Sequence, residues 1–342
     1  MKILIDSYNE CFQNDSGGVR IKIESYFRYI SKMTDAKLFN KWTDKITDFD
    51  LLHVFKPGVQ NYASISLAKR NGLPVVVSSI VPSENKHKVQ IKKVIDHFIS
   101  LNTPYRFLKK IFNMADAVIA ETVFEKDYLE YAYNVSKEKI FVIPNGVSFP
   151  ETNVEENYFF EQTGIPNDFV LQVGRFDENK NQLSTIKAVE GTDIHVVFIG
   201  GPDKDDSSYY DKCVENSSDN IHFLGWVSHD DPLLQAAYMA CHSFILPSHS
   251  EILGNALIEA ASFGANIIST NVLPLNSWGI EDKCFVVNPA DISDIRDKLI
   301  KSQKQEKSRT LSEVIKQKFD WNAIVDEHYQ IYRRLLNDQT KA

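Results

Sequence analysis

Short apolar runs alternate with longer segments of helical period along nearly the whole chain, and this alternation constrains the fold more than any other feature. The runs lie at 2–5, 51–55, 74–78, 116–120, 140–143, 169–173, 194–199, 221–224, 243–246, 266–269 and 284–287. Near-continuous aliphatic runs of this length suit strands covered on both faces, and their alternation with helical segments predicts parallel sheets flanked by helices. A chain of 342 residues has room for two domains of about 150 residues each. The pattern breaks at Ser148-Phe149-Pro150-Glu151-Thr152-Asn153, and acids follow. The expected organisation is therefore a first domain over 1–150, a second over 151–320 and a closing helix over 321–342. Trp321, Ile324, Val325, Tyr329, Tyr332 and Leu335 recur at helical spacing in that last segment.

Composition narrows the functional classes. Hydrophobic content of 43% and charged content of 25% are ordinary for a globular protein. A net charge of −8 argues against general nucleic-acid binding. Cys11, Cys213, Cys241 and Cys284 are scattered, with no Cys-x-x-Cys pair and no zinc spacing. The apolar run after Met1 is too short for a signal peptide, and no stretch approaches the roughly 18 apolar residues of a membrane span. A reduced, cytoplasmic protein is expected.

Two segments carry candidate chemistry. In Pro247–Gly264 the polar residues Glu251, Asn255 and Glu259 lie four apart among Ala, Ile, Leu and Phe. That spacing predicts one helix with a polar stripe, stopped by Gly264. Upstream, the apolar run 169–173 leads into Gly174-Arg175, with Lys180 five residues later. Ligands of open α/β sheets sit beyond the carboxyl ends of strands. Two cations there suit a diphosphate, and two carboxylates suit sugar hydroxyls, so the combination points to a nucleotide-sugar site. Asp203-Lys204-Asp205 and Asp48-Phe49-Asp50 fit the Asp-x-Asp pattern of metal-binding transferases, but such triplets are common by chance among 46 acids. They read as solvated acids, and no metal is expected.

Gly174-Arg175 with Lys180, then Pro247-Ser248 with Glu251-x7-Glu259, resembles the donor site of retaining GT-B glycosyltransferases of family 4, the glycosyl transferases group 1. Ala115–Ala120 followed by Ile140–Val147, Phe223-Leu224-Gly225-Trp226-Val227 and Phe319-Asp320-Trp321 fit the same family in order. The resemblance implies an α/β GT-B fold: two Rossmann-like doubly wound domains facing a cleft, the first on the acceptor side and the second binding the nucleotide sugar, with a C-terminal helix crossing back to the first domain. It implies transfer of a sugar from a nucleoside diphosphate sugar, UDP- or GDP-type, to a hydroxyl of a polysaccharide, lipopolysaccharide or glycolipid, with retained configuration and without a metal.

The same resemblance implies roles. Arg175, Lys180 and Glu251 would be catalytic, the cations stabilising the leaving diphosphate and Glu251 holding donor-sugar hydroxyls. Glu259 would hold the ribose. Gly17, Gly18, Gly174, Val227, Leu253, Gly254 and Asn255 would line the donor, through backbone amides at the glycine-rich turns and near the base at Val227. Two departures stand out. Glu251-Ile252-Leu253-Gly254 replaces the common Glu-Gly-Phe-Gly, and Ser78-Ser79 stands where many members carry a His after the strand. The alternative is therefore a catalytically weak accessory or nucleotide-sugar-binding subunit of the same fold. A dinucleotide oxidoreductase would need a Gly-x-Gly-x-x-Gly fingerprint that no strand precedes. His53, alone in an apolar strand, reads as a core residue.

One more segment points to a partner. Residues 86–110 hold Lys86, Lys88, Lys92, Lys93, Arg106, Lys109 and Lys110 against one acid, Asp96. Ile91, Val94, Ile95, Phe98, Ile99 and Leu101 are interleaved. The spacing predicts an amphipathic helix with a basic face, suited to an anionic membrane surface, and places the protein peripherally on the inner face of the plasma membrane.

Overall fold

A computed structural model describes residues 1–13, 18–81, 84–98, 102–147, 154–155, 157–203, 206–307 and 309–339. The chain divides into two compact units, Met1–Ser148 with Phe319–Ala342, and Phe149–Lys318.

The first unit is built on β1 (Lys2–Ser7), β2 (Asp35–Leu38), β3 (Leu51–Phe55), β4 (Val75–Ser78), β5 (Ala117–Ala120) and β6 (Ile140–Val142). They form one sheet in the order β2-β1-β3-β4-β5-β6, parallel throughout. Its helices are α1 (Gly18–Ile30), α2 (Tyr62–Arg70), α3 (Lys86–Phe98), α4 (Pro104–Met114) and α5 (Val123–Tyr133). Every residue of β3, β4 and β5 is buried, as strands covered on both faces must be. β2 was not legible in the sequence, for a physical reason. It is an edge strand of four residues, Asp-Ala-Lys-Leu, with alternating exposure, so it lacks the aliphatic run that marks the others.

The second unit repeats the plan. Its strands are β7 (Val170–Val173), β8 (Val196–Ile199), β9 (Ile221–Phe223), β10 (Ser243–Leu246), β11 (Asn266–Ser269) and β12 (Cys284–Val286), in the order β12-β11-β10-β7-β8-β9 and again all parallel. Its helices are α6 (Tyr158–Thr163), α7 (Gln182–Ala188), α8 (Ser208–Glu215), α9 (Pro232–Ala240), α10 (Asn255–Ser262), α11 (Leu275–Trp278), α12 (Ile292–Ser302) and α13 (Arg309–Lys318).

The closing helix α14 (Trp321–Gln339) belongs to the first unit. Tyr332 Oη lies 2.6 Å from His53 Nδ1, while His53 Nε2 lies 2.9 Å from Ser78 Oγ. His53 is fully buried, as expected of a core residue, and burial pushes its pKa well below the ordinary histidine value. A Cβ on Gly146 would lie 2.3 Å from the Trp321 ring, so that glycine lets the helix start pack against the strand-end segment.

Two expectations need correction here. Glu251 is not on a helix. α10 begins at Asn255, because Gly254 sits in the left-handed region at φ +70° and turns the chain immediately before it. The stripe is thus reduced to Asn255 and Glu259, although Gly264, at φ +82°, ends the segment as expected. The basic segment is two helices, α3 and α4, with Ile99 and Leu101 outside the described residues. Its charge is also more compensated than the composition of 86–110 suggests. Lys92 pairs with Glu84 at 2.6 Å, just upstream, and Arg106 and Lys109 share Asp96 at 2.5 and 2.9 Å. Among the described residues no helix is long and apolar enough to cross a membrane.

Candidate active site

The carboxyl ends of β7, β8 and β10 carry the candidate residues of the second unit. Backbone bonds knit the strand-end turns together: Gly174 N donates to Ile199 O at 2.9 Å, Phe176 N to Gly201 O at 2.9 Å, and Gly200 N to Gly225 O at 2.7 Å. Gly200 has φ +137°, and a Cβ there would lie 2.0 Å from Gly174 O. Only glycine permits that approach. The β7 turn therefore presents Arg175 from a rigid base.

Arg175 is half exposed. Its Nη2 lies 3.0 Å from Asp177 Oδ2 and its Nη1 lies 3.0 Å from Asp203 Oδ2. Asp203, the first acid of the Asp-x-Asp triplet, thus holds the arginine, while Lys204 and Asp205 lie outside the described residues. Lys180 Nζ reaches Glu251 Oε1 at 2.6 Å across 71 residues of sequence. The structure thus joins Lys180 to Glu251 although Glu251 stands in a loop. That loop is fixed: His249 N donates to Asn179 O at 2.9 Å, and Asn179 Nδ2 to Ser250 O at 2.9 Å.

Several positioning residues escaped the sequence reading. Gln172, buried in β7, donates from Nε2 to Lys180 O at 2.9 Å. Gln182 Nε2 donates to Arg175 O at 2.9 Å, and Asp177 Oδ1 accepts from Lys180 N at 2.8 Å. Asn181, left-handed at φ +58°, donates to Pro247 O and Pro289 O. A polar residue buried in a strand was the available signal, and Gln172 within Val-Leu-Gln-Val supplied it.

Glu259 lies on α10 with both oxygens engaged. Tyr238 Oη donates to Oε2 at 2.7 Å, and His229 Nε2 lies 3.1 Å from Oε1. The hydrogen bond to Glu259 raises the His229 pKa, against its desolvation, and Asp230 adds to the rise. Burial pushes the Tyr238 hydroxyl well above its ordinary range, so it acts as a donor. Val227 follows Gly225 and the exposed Trp226 on the turn after β9, on the same connection as His229. Leu253 is 3% exposed, so its side chain belongs to the core. Ser248 Oγ and Asn255 Oδ1, flanking the Glu251 loop in sequence, are buried without a hydrogen-bond partner. Gly18 opens α1 in the first unit, and Gly17 lies outside the described residues.

Comparison with known proteins bears on this arrangement. Residues 155–318 match the family model described as glycosyl transferases group 1, and residues 6–149 match the one described as glycosyltransferase family 4. The chain is a GT-B glycosyltransferase. An uncharacterised 41.2 kDa protein in the cps region of Klebsiella pneumoniae is 23% identical over 96% of this chain and 92% of its own length. The capsular polysaccharide biosynthesis glycosyltransferase CapH of Staphylococcus aureus is 28% identical over 61% of this chain and 62% of its own length. The crystal structure of Anabaena HepE in complex with UDP superposes with a TM-score of 0.74 at 16% identity, covering 98% of this chain and all of that one. At that identity the likeness of this glycosyltransferase to HepE is one of fold.

Proposed function

We propose that the chain transfers a sugar from a nucleoside diphosphate sugar, UDP- or GDP-type, to a hydroxyl of a polysaccharide, lipopolysaccharide or glycolipid acceptor, with retention and without a metal. The carrying observation is the 2.6 Å pairing of Lys180, which shares the loop after β7 with Arg175, with Glu251 on the loop after β10. In this reading Arg175 and Lys180 offset the charge that grows on the diphosphate, a stabilisation worth several kcal/mol in a site shielded from water. Glu251, oriented through Oε1, accepts from donor-sugar hydroxyls. Glu259 takes the ribose. The bond from the anomeric carbon to the phosphate oxygen breaks, a bond to the acceptor oxygen forms on the same face, and the acceptor proton passes to the departing phosphate. Engagement of Asp203 by Arg175 favours cation rather than metal stabilisation. The UDP held by HepE and the polysaccharide role named for CapH support the donor and acceptor classes.

The test is transfer and donor hydrolysis with UDP- and GDP-sugars, with and without EDTA. Turnover that survives chelation is expected. Inactivation reversed by manganese or magnesium would bring Asp203 and Asp205 in as ligands. Tight donor binding with no turnover would favour the accessory-subunit reading.

The membrane part of the proposal now rests more on apolar surface than on charge. On α3, Ile91, Val94, Ile95 and Phe98 are 60%, 53%, 37% and 79% exposed. They recur at i, i+3, i+4 and i+7, the stripe of a helix that lies in an interface, with Lys88 close by in sequence. Sedimentation with anionic vesicles should therefore fall more for Ile91→Ser with Phe98→Ser than for Lys88→Gln. Equal pelleting of wild type and both variants would make the stripe an ordinary exposed face.

A further inference from the structure

Two histidines of the second unit face each other near the amino ends of its strands, away from the turns that carry Arg175, Lys180 and Glu251. His195 immediately precedes β8, and His222 is the middle residue of β9, the edge strand of the sheet. The two strands are parallel, with Val196 beside Ile221 and Val197 beside His222. Val196, Phe198, Ile221 and Phe223 pack in one core cluster. Alternation along a strand therefore turns both histidines to the opposite face. There His195 Nδ1 lies 2.9 Å from His222 Nε2, with the ring planes 8° apart. β8 runs from Val196 to Ile199, so the pair stands roughly 13 Å from the turn where Gly174 bonds Ile199.

The backbones on which the pair sits are tied together. Val196 N donates to Asn220 O at 2.9 Å, and Asn220 Nδ2 donates to Ile194 O at 2.6 Å. Both rings are half-buried. As neutral imidazoles they share one proton between the facing nitrogens, one ring donating and the other accepting. Burial, then the neighbouring His195, lowers the His222 pKa from its ordinary value. Neutral imidazole is the form that ligates metals. Two nitrogens bound to one ion at about 2.0–2.1 Å, with an angle of about 90–110° between them, stand about 2.9–3.4 Å apart. The facing nitrogens already have that separation, so an ion would find two ligands placed in advance by the sheet.

We propose that His195 and His222 form a bidentate site for a divalent transition-metal ion, copper, nickel or zinc, which clips the edge strand β9 to β8. His195 Nδ1 and His222 Nε2 are the ligands, and the proton they share moves to the other nitrogen of the ring that carried it. Imidazole suits all three ions, and Cu²⁺ binds such a site most tightly. Among the described residues no group of three His, Cys, Asp or Glu could hold a metal, so water fills the remaining positions. The ion sits far from the diphosphate region, and the site is compatible with metal-independent transfer.

The test adds Cu²⁺ to the tag-free chain for EPR, and Ni²⁺ or Zn²⁺ for thermal unfolding. The wild type should take up one copper whose spectrum shows coupling to two imidazole nitrogens. Its unfolding midpoint should rise with Ni²⁺ or Zn²⁺, because an ion held by the native pair stabilises the fold. His222→Asn and His195→Asn should each weaken binding by ~10-fold or more, a loss that changes beyond the ligands can already reach, and should cancel the rise. His97→Asn, which changes an exposed histidine of α3, should keep both signals. Metal-free unfolding midpoints report whether the variants fold, and the wild-type spectrum decides the matter by itself if one does not. Copper without coupling to two nitrogens, undiminished binding in either pair variant, or loss in His97→Asn instead would overturn the proposal. None of these outcomes involves sugar transfer, so the donor assignments stand or fall separately.

Discussion

Two lysine–glutamate pairs, one in each unit, have nearly the same geometry and different surroundings. Lys22 on α1 meets Glu121, just past β5, at 2.5 Å, with side chains 4% and 7% exposed. Lys180 meets Glu251 at 2.6 Å, with side chains 25% and 10% exposed. The first pair is enclosed: Lys22 Nζ lies 5.9 Å from the Phe55 ring centre, and buried Glu125 follows Glu121 closely in sequence. Each charge there depends on the other, because removing one leaves an uncompensated charge away from water. The second pair keeps access to solvent. It can exchange partners with an incoming anion at modest cost. Distance alone therefore does not separate a structural ion pair from a site; access does.

The comparison can be broken at both pairs. The largest effect is expected at the enclosed one. Lys22→Met should destabilise the fold by ~3–5 kcal/mol, and adding Glu121→Leu should recover most of that. Denaturant unfolding reads both. Equal stability of Lys22→Met and wild type would remove the distinction between the pairs.

Next comes the open pair. Lys180→Ala or Arg175→Ala should lower turnover by ~10²–10³-fold and leave the unfolding midpoint nearly unchanged. Near-normal rates at saturating donor would end their catalytic assignment. A loss of stability as large as that of Lys22→Met would make the Lys180 pair structural as well.

Glu259→Ala should weaken free nucleoside diphosphate by ~1.5–3 kcal/mol in calorimetry, the scale of hydrogen bonds to a charged acceptor. Glu251→Ala should spare the free nucleotide and weaken the intact donor. If both variants weaken both ligands alike, the division of labour is wrong.

The smallest effects are pH-dependent. Burial, then the neighbouring Glu121, pushes the Glu125 carboxyl up to about 7 from 4.5. The folded state therefore holds a proton that the unfolded state has released between those values. Stability associated with the protonated acid is full below about 4.5 and is lost as pH rises through about 7. A thermal midpoint that falls over this window in wild type, and less in Glu125→Gln, is the expected result. At the open site His229 acts with the opposite sign on binding. Its raised pKa means the imidazolium holds Glu259, so nucleotide affinity should increase as His229 loses its proton, and His229→Ala should flatten that profile.

Much of this was legible from sequence, and the exceptions are instructive. Eleven strands announced themselves as apolar runs, whereas β2, Asp-Ala-Lys-Leu with alternating exposure, carries none. Gly-Arg followed by Lys marked the cations of the β7 turn. The stripe through Glu251 failed because periodicity assumes one continuous helix, and a left-handed Gly254 interrupts it. The basic segment looked more charged than it is because Glu84 lies two residues outside the window. Lys22 and Glu121, 99 residues apart, had no local pattern at all.

The return of α14 to the first unit bears on synthesis from the ribosome. Residues Phe149–Lys318 form a self-contained unit of contiguous chain, whereas Met1–Ser148 awaits Phe319–Ala342. At roughly 5–20 residues per second, the intervening stretch delays that completion by on the order of 10 s. Until Tyr332 and Trp321 emerge, His53 lacks one hydrogen-bond partner and Gly146 lacks its aromatic neighbour. The unit made first is therefore finished last. A nascent chain ending at Lys318 and followed by a stalling segment long enough to fill the ribosomal exit tunnel should protect its second unit from protease while leaving the first open to cleavage.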